Sequence, residues 1–121
     1  MALQALDHVN ISTRDVAGVR AFFVDVLGLQ VGWRPPFPFD GAWLYLGDQA
    51  VVHVMEASAE PLPSRGSALD HFAFAAQGFE EMRARLEAHG VAHRAVDVPG
   101  SEVRQLFVTV GGVTVELNCR G

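Results

Sequence analysis

Four side chains of types that bind metals or transfer protons stand at matching positions of an internal repeat. The segment Ala5-Leu6-Asp7-His8 returns later in the chain as Ala68-Leu69-Asp70-His71. At the same offset, Val52-His53-Val54 returns as Val115-Glu116-Leu117. Imidazole nitrogens and carboxylate oxygens are ligands for Fe, Mn, Ni, Co and Zn. The repeat therefore predicts a divalent-metal site with four candidate ligands: His8, His53, His71 and Glu116.

Strand periodicity places these four side chains on one face of a predicted sheet. Side chains alternate across a β-strand, and apolar residues alternate with each candidate ligand, as in Val52-His53-Val54. We expect the apolar residues to face a helix and the polar side chains to share the opposite, concave surface. Polar residues of an ordinary pocket wall, or histidines satisfied within a core, would give the same pattern, so the pattern alone leaves these interpretations open.

Both halves of the chain predict the same order of elements: strand, helix, strand, strand, strand. In the first half, strands are predicted at residues 6–12, 29–33, 42–46 and 50–55. The first helix follows the N-cap candidates Thr13 and Asp15 and ends at Gly28. In the second half, strands are predicted at residues 70–76, 91–96, 103–110 and 113–118, with a helix at 79–89.

This order predicts a single α+β domain built from two tandem βαβββ modules. A chain of 121 residues has the size of one domain, and neither half is expected to bury its sheet alone. Module one is predicted at about residues 5–57, a linker at residues 58–67, and module two at about residues 68–121. The two modules should therefore pair, within one chain or across a two-fold dimer.

Composition narrows the expected partners. The formal net charge is −5, with nine arginines and no lysine, so neither nucleic acid nor an anionic membrane is an expected partner. The absence of lysine excludes Schiff-base chemistry and a P-loop lysine. The single cysteine, Cys119, cannot form an internal disulfide, and we see neither a signal peptide nor a transmembrane segment. These features predict a protein of a reducing, cytoplasmic compartment; the small-molecule substrate that we also expect is implied by the family resemblance of the motifs.

The motifs together resemble the vicinal oxygen chelate superfamily, which includes glyoxalase I, bleomycin-resistance proteins, extradiol dioxygenases, fosfomycin-resistance transferases and methylmalonyl-CoA epimerases. The resemblance covers nearly the whole chain. It rests on the following segments: Leu6-Asp7-His8-Val9 with Val26-Leu27-Gly28-Leu29, Gly41-Ala42-Trp43-Leu44-Tyr45-Leu46-Gly47, Leu69-Asp70-His71-Phe72-Ala73-Phe74, and Val113-Thr114-Val115-Glu116-Leu117. These motifs are specific for the superfamily and do not select one activity within it.

The resemblance implies a glyoxalase-like fold, in which two βαβββ modules form a cupped mixed sheet with helices on the outer face and one divalent metal per site. By this resemblance His8, His71 and Glu116 match three ligand positions common to many members. His53 matches a position that supplies a carboxylate ligand and moves protons in glyoxalase-like members. In extradiol dioxygenases a nearby histidine is an acid/base and not a ligand, so His53 is a candidate for either role.

Departures from individual families guide the expected reaction. Ser12 stands where glyoxalase I carries an arginine for glutathione, and His53 replaces the carboxylate. Leu106 stands where fosfomycin transferases and extradiol dioxygenases carry a tyrosine. We therefore expect a divalent-metal-dependent enzyme with lyase or isomerase chemistry on an oxygen-chelating substrate, in which His53 or Glu116 moves a proton. Extradiol-type dioxygenation is the alternative reaction.

Further side chains are predicted on the concave face or near it. The candidates for substrate binding are Trp43, Tyr45, Gln105 and Phe107, although plain pocket walls or dimer packing would give the same pattern. Arg34 and Arg104 are candidates for holding a substrate carboxylate or phosphate, although solvated surface arginines would look the same.

The resemblance also suggests how the chain assembles and what else it could do. We expect a homodimer with sites at the subunit interface, with His8 and His53 from one chain and His71 and Glu116 from the other. A bleomycin-resistance-like protein that sequesters an aromatic or cationic drug is the alternative to an enzyme. The acidic charge of the chain and the aromatic residue Trp33 are compatible with that alternative.

Overall fold

The computed structural model describes residues 2–121, and the chain divides into two compact units at the boundary between Pro61 and Leu62. Each unit contains a strand, a helix and three further strands, and each has its own four-stranded mixed sheet. The predicted α+β class and βαβββ order are therefore confirmed. Within residues 2–121, no helix is long and apolar enough to cross a membrane.

The first unit begins with β1 and α1 and ends with a hairpin. Its elements are β1 (Val9–Thr13), α1 (Val16–Ala21) with a π-helical continuation (Phe22–Val26), β2 (Gln30–Gly32), β3 (Gly41–Leu46) and β4 (Gln49–Glu56). The sheet order is β1-β4-β3-β2, with β1 parallel to β4 and the other pairs antiparallel. Asp15 caps α1, because its carboxylate accepts a hydrogen bond from the Gly18 N–H at 2.9 Å.

The core of the first unit lies between α1 and the central strands. Leu44 of β3, Val52 of β4 and Phe23 of the helix have no exposed surface. Because side chains alternate along β4, burial of Val52 and Val54 turns His53 to the other face of the sheet. Burying such side chains contributes roughly 1.5–3 kcal/mol each, and this burial fixes the register that presents His53.

The second unit repeats the arrangement. Its elements are β5 (His71–Gln77), α2 (Phe79–Ala88), β6 (Arg94–Asp97), β7 (Arg104–Val110) and β8 (Val113–Arg120). The sheet order is β5-β8-β7-β6, with β5 parallel to β8. Leu86, Leu106 and Val115 are fully buried, and they place the helix side of this sheet in the core.

Two strands, β1 and β6, begin later than predicted, and most other strand boundaries shift by only one or two residues. His8 precedes β1 and is not part of it, because β1 pairs with β4 only from Val9 onward and Leu6 remains 85% exposed. β6 begins at Arg94, three residues later than predicted. Part of the predicted linker folds onto the second unit: the Ser64 hydroxyl donates to the Asp70 carbonyl at 2.7 Å and accepts from the Thr114 N–H at 2.8 Å.

Candidate functional site

His8 and His53 lie face to face in the first unit. Their ring centroids are 3.7 Å apart and the ring planes differ by 11°. Because β4 lies between β1 and β3, the other face of His53 is available to Trp43, whose ring stacks at 4.0 Å with an interplanar angle of 12°. The three aromatic side chains therefore form a continuous stack, which the sequence analysis did not predict.

His71 and Glu116 form the corresponding pair in the second unit. His71 Nε2 lies 3.2 Å from Glu116 Oε1. The other carboxylate oxygen, Oε2, accepts a hydrogen bond from Gln105 Nε2 at 3.0 Å. Glu116 is only 6% exposed, whereas His71 is exposed. Gln105 therefore orients the buried carboxylate of Glu116, whose other oxygen faces His71. Gln105 was predicted to contact substrate.

In His8 and in His71, the aspartate that comes just before the histidine contacts its ring. His8 Nδ1 lies 2.7 Å from Asp7 Oδ2, and His71 Nδ1 lies 2.8 Å from Asp70 Oδ1. The pKa of Asp7 is lowered mainly by its hydrogen bond with His8. The pKa of Asp70 is lowered first by the Gly66 N–H and then by His71. Because Nδ1 is engaged in both histidines, Nε2 is the nitrogen that can face a metal or a substrate, and in His71 it already lies against Glu116.

Asp7 and Asp70 are functional candidates that the sequence analysis missed. The signal was present, because an aspartate directly precedes the histidine in both copies of the repeat. Carboxylates that fix the imidazole tautomer are a common feature of metal-binding histidines. Residue type and spacing identified the ligand candidates, but only the structure shows that each aspartate contacts the histidine next to it in the chain.

The remaining side chains predicted to bind substrate lie in different surroundings. Phe107 packs edge-on against His71 with centroids 5.9 Å apart, and the Arg94 guanidinium lies 4.6 Å from its ring centre. Tyr45 donates a hydrogen bond from its hydroxyl to the Trp33 carbonyl at 2.6 Å, and its ring lies against Gly32. Tyr45 therefore packs against the end of β2 and binds the residue that follows it.

Leu106 occupies the position at which the resemblance implies a tyrosine in other members, and its place in β7 turns it toward the helix. Leu106 is fully buried on the helix side, while its neighbours Gln105 and Phe107 accompany Glu116 and His71. None of these three residues is a tyrosine, and the only tyrosine of the chain, Tyr45, is in the first unit. The second unit therefore supplies no phenol hydroxyl to the His71–Glu116 pair.

The two candidate anion-binding arginines differ in their partners. Arg104 contacts Asp97 at 3.0 Å and Glu80 at 3.4 Å, and it lies 3.6 Å from the ring centre of Phe79. Its charge is already compensated, which favours a structural role. Arg34 has no ion pair with another side chain of residues 2–121 and donates only to the Phe39 carbonyl, at 3.0 Å.

His53 should titrate at lower pH than an ordinary histidine in metal-free protein. Burial, and then the charge of the neighbouring His8, lower the pKa of His53. His8→Ala removes the neighbouring charge and uncovers one ring face, so the pKa of His53 should rise toward its ordinary value. NMR titration of the imidazole signals measures this shift. His89→Ala, at an exposed position of the second unit, is the matched control and should leave the pKa unchanged; an unchanged value in His8→Ala contradicts the coupling.

Two donor atoms suited to a divalent metal lie close together in the second unit. Among residues 2–121, no group of three or more His, Cys, Asp or Glu side chains lies close enough together to hold a metal ion. Within the second unit, however, the two donor atoms of His71 and Glu116 are 3.2 Å apart. Two donors about 2.1 Å from one ion and at right angles would be about 3.0 Å apart. This pair therefore has the spacing of neighbouring ligands.

The family model of the Glyoxalase/Bleomycin resistance protein/Dioxygenase superfamily matches residues 7–98. The chain belongs to this superfamily. The match includes His8, His53 and His71, and Glu116 lies beyond its end. No curated protein matches the chain by sequence.

Solved structures of superfamily proteins have the same fold. A glyoxalase family protein from Bacillus anthracis is 21% identical over 100% of this chain and 98% of its own, with a TM-score of 0.83. Lactoylglutathione lyase from Agrobacterium tumefaciens is 20% identical over 98% and 95%, with a TM-score of 0.70. A variant of the fosfomycin resistance protein FosX from Listeria monocytogenes, complexed with Mn(II) and 1S,2S-dihydroxypropylphosphonic acid, is 16% identical over 99% and 95%, with a TM-score of 0.79. At these identities the likeness shows the fold alone.

Proposed function

We propose that this superfamily member is a divalent-metal-dependent enzyme that acts on a small substrate with adjacent chelating oxygens. The observation that supports it most is the pair of donor atoms, His71 Nε2 and Glu116 Oε1, each held by another group of the second unit. His8 and His53 are proposed to complete the ligand set. The Mn(II) in the FosX complex supports metal use in this fold, and Fe, Mn, Ni, Co and Zn all suit these ligands.

A bound metal would act as a Lewis acid toward the substrate oxygens. The residues of the chain then have separate tasks. Asp7 and Asp70 keep Nδ1 of their histidines engaged, and Gln105 orients the carboxylate of Glu116. Because its lowered pKa favours the neutral ring, His53 has a lone pair at neutral pH, which suits a ligand and equally suits a base that accepts a substrate proton.

Lyase or isomerase chemistry is the proposed reaction class. The side chains on β7 near His71 and Glu116 are Gln105 and Phe107, and neither can donate a phenolic proton. The only tyrosine, Tyr45, donates its hydroxyl proton to the Trp33 carbonyl in the first unit. Shuttling a proton between neighbouring substrate carbons or oxygens needs one base such as His53 or Glu116, and it needs no redox change.

We also propose a homodimer in which each site takes one pair of ligands from each chain. Leu6 is 85% exposed and Leu69 is 74% exposed, and each lies two residues before a candidate ligand. Exposed leucines beside the edge strands β1 and β5 are suited to burial in an interface.

A cytoplasmic location is also proposed. The free, buried Cys119 is compatible with it.

Metal titration of the full-length protein tests the proposed function. After chelator treatment and dialysis, addition of Mn(II), Co(II), Ni(II), Zn(II) or Fe(II) should show saturable binding of one ion per chain, by calorimetry and by metal analysis after gel filtration. Histidine ring signals should shift on binding, with His8, His53 and His71 affected and His89 unaffected. A protein that holds none of these ions at micromolar concentration contradicts the proposal.

Tight binding of a planar cationic drug by that metal-free protein would instead favour the drug-binding alternative, which the exposed Trp33 supports.

A further inference from the structure

A small cavity in the first unit joins His53 to the loop between β2 and β3. It has a volume of about 160 Å³, and its walls include Asn10, Arg34, Phe37, Phe39, Trp43 and His53. A water molecule occupies about 30 Å³ in the liquid, so the cavity has room for several non-hydrogen atoms. Drug-sized ligands occupy pockets of roughly 300–1,000 Å³. The cavity therefore suits a small molecule or one end of a larger one.

Arg34 contributes a cation to this cavity that the described side chains do not neutralise. Its Nη2 donates to the Phe39 carbonyl at 3.0 Å, and its Nε is buried without a hydrogen-bond partner among residues 2–121. Arg83 and Arg104, by contrast, each pair with a carboxylate. No carboxylate of residues 2–121 pairs with Arg34, so a carboxylate brought by a ligand would compensate its charge at the exposed nitrogens of the guanidinium.

The guanidinium is held in place before any ligand arrives. Its carbon lies 5.3 Å from the ring centres of both Phe37 and Phe39, and these two rings stack at 5.1 Å. A Cβ built on Gly41 would come within 3.0 Å of Arg34 Nη2, so the guanidinium packs closely over the Gly41 backbone. Proline residues at 35, 36 and 38 restrict the loop further. Such preorganisation lowers the entropy cost of binding.

The walls define the chemistry of the ligand. A planar guanidinium is matched by a carboxylate, which accepts two parallel hydrogen bonds. The rings of Phe37, Phe39 and Trp43 offer flat apolar surfaces. Among residues 2–121, the Asn10 amide donates only to Met55 Sδ, at 3.0 Å, and thioether sulfur is a weak acceptor. A stronger acceptor on the ligand would therefore compete for this donor as well.

We propose that this cavity binds the carboxylate of the substrate, which is a small carboxylic acid with a flat apolar body, and that Arg34 selects it. The inference rests on the proposed function, because it assigns a substrate class to the site that contains His53. The carboxylate is held at Arg34, and the remainder of the molecule extends along Trp43 toward His53. Arg34 is thus a specificity-determining residue of the first unit, separate from the ligand pair of the second.

Benzoate and its neutral isostere benzamide test this assignment in metal-free, full-length protein. Trp43 lines the cavity, so tryptophan fluorescence reports binding of either probe. Benzoate should bind saturably and at least about tenfold more tightly than benzamide, because a charge-assisted pair contributes more than a neutral one. Arg34→Gln should remove this preference and leave benzamide binding nearly unchanged. Arg14→Gln, at an exposed arginine of the same unit, should retain the preference.

Two further measurements separate this inference from the metal proposal. Arg34→Lys keeps the charge but loses the planar pair of donors, so it should fold and show an intermediate preference, even if Arg34→Gln proves unstable by circular dichroism. Equal binding of the two probes by the native protein, or a benzoate preference that survives in Arg34→Gln, overturns the inference. Metal titration without any probe reports the proposed function independently: normal metal binding without benzoate selectivity rejects only the substrate class, and selectivity without metal binding rejects only the metal enzyme.

Discussion

Glu116→Gln should weaken divalent-metal binding by about 100-fold or more. Loss of groups that merely orient a metal ligand costs about 10–100-fold in affinity, and removal of a ligand charge should reach or exceed the upper end of that range. Glutamine has nearly the same shape as glutamate, and its carbonyl oxygen can still accept the hydrogen bond that Gln105 donates at 3.0 Å. The change therefore removes the charge with little loss of packing. Co(II) titration, followed by calorimetry and by the visible spectrum of the bound ion, measures the effect.

The control for this change is Glu60→Gln. Glu60 is exposed in the first unit and is not a candidate ligand, so the same loss of charge should leave the metal affinity within a factor of about two, since solvent and salt screen an exposed charge. Thermal unfolding of both metal-free variants should match that of the native protein. Unchanged Co(II) affinity in folded Glu116→Gln would show that Glu116 is not a ligand. An equal loss of Co(II) affinity in Glu60→Gln would show that the effect comes from the net charge of the protein and not from a lost ligand.

Period-two alternation made the architecture predictable from sequence. Val52 and Val54 are buried on both sides of His53, and Val115 and Leu117 are buried on both sides of Glu116. This pattern depends only on which residues avoid water, so it can be recognised in the sequence without knowledge of the fold. Strand ends were less predictable, because they depend on pairing partners. β1 therefore begins at Val9 and not at Leu6, which has no strand opposite it.

For the candidate site, the sequence indicates residue types but not the contacts that those residues make. Candidate ligands could be selected because few side chains bind metals, and the repeat related them. The stack of His8, His53 and Trp43 depends on the register of three strands, in which Trp43 is opposite His53. The position of Arg34 depends on an irregular loop that no periodicity describes. Sequence alone therefore treated Arg34 and Arg104 alike, whereas their partners differ.

Leu117→Ala should lower the free energy of unfolding by about 2–5 kcal/mol, the usual cost of removing a buried leucine side chain. Leu117 is 1% exposed, and it lies opposite Phe74 of β5 and Leu106 of β7 in the sheet. The cavity left behind would border the strand that carries Glu116. Urea unfolding followed by far-ultraviolet circular dichroism measures the loss. Thr109→Ala, at an exposed position of β7, should change stability by less than about 0.5 kcal/mol.

The same variant tests whether the two units depend on each other for stability. Trp33 and Trp43 both belong to the first unit, so tryptophan fluorescence reports its unfolding, although Leu117 belongs to the second. A unit of about 60 residues buries too little surface to be more than marginally stable alone. We therefore expect the fluorescence midpoint to fall together with the circular dichroism midpoint in Leu117→Ala. If fluorescence instead kept its native midpoint, the first unit would be stable by itself, and pairing of the modules would not be needed to hold His8 and His53 in place.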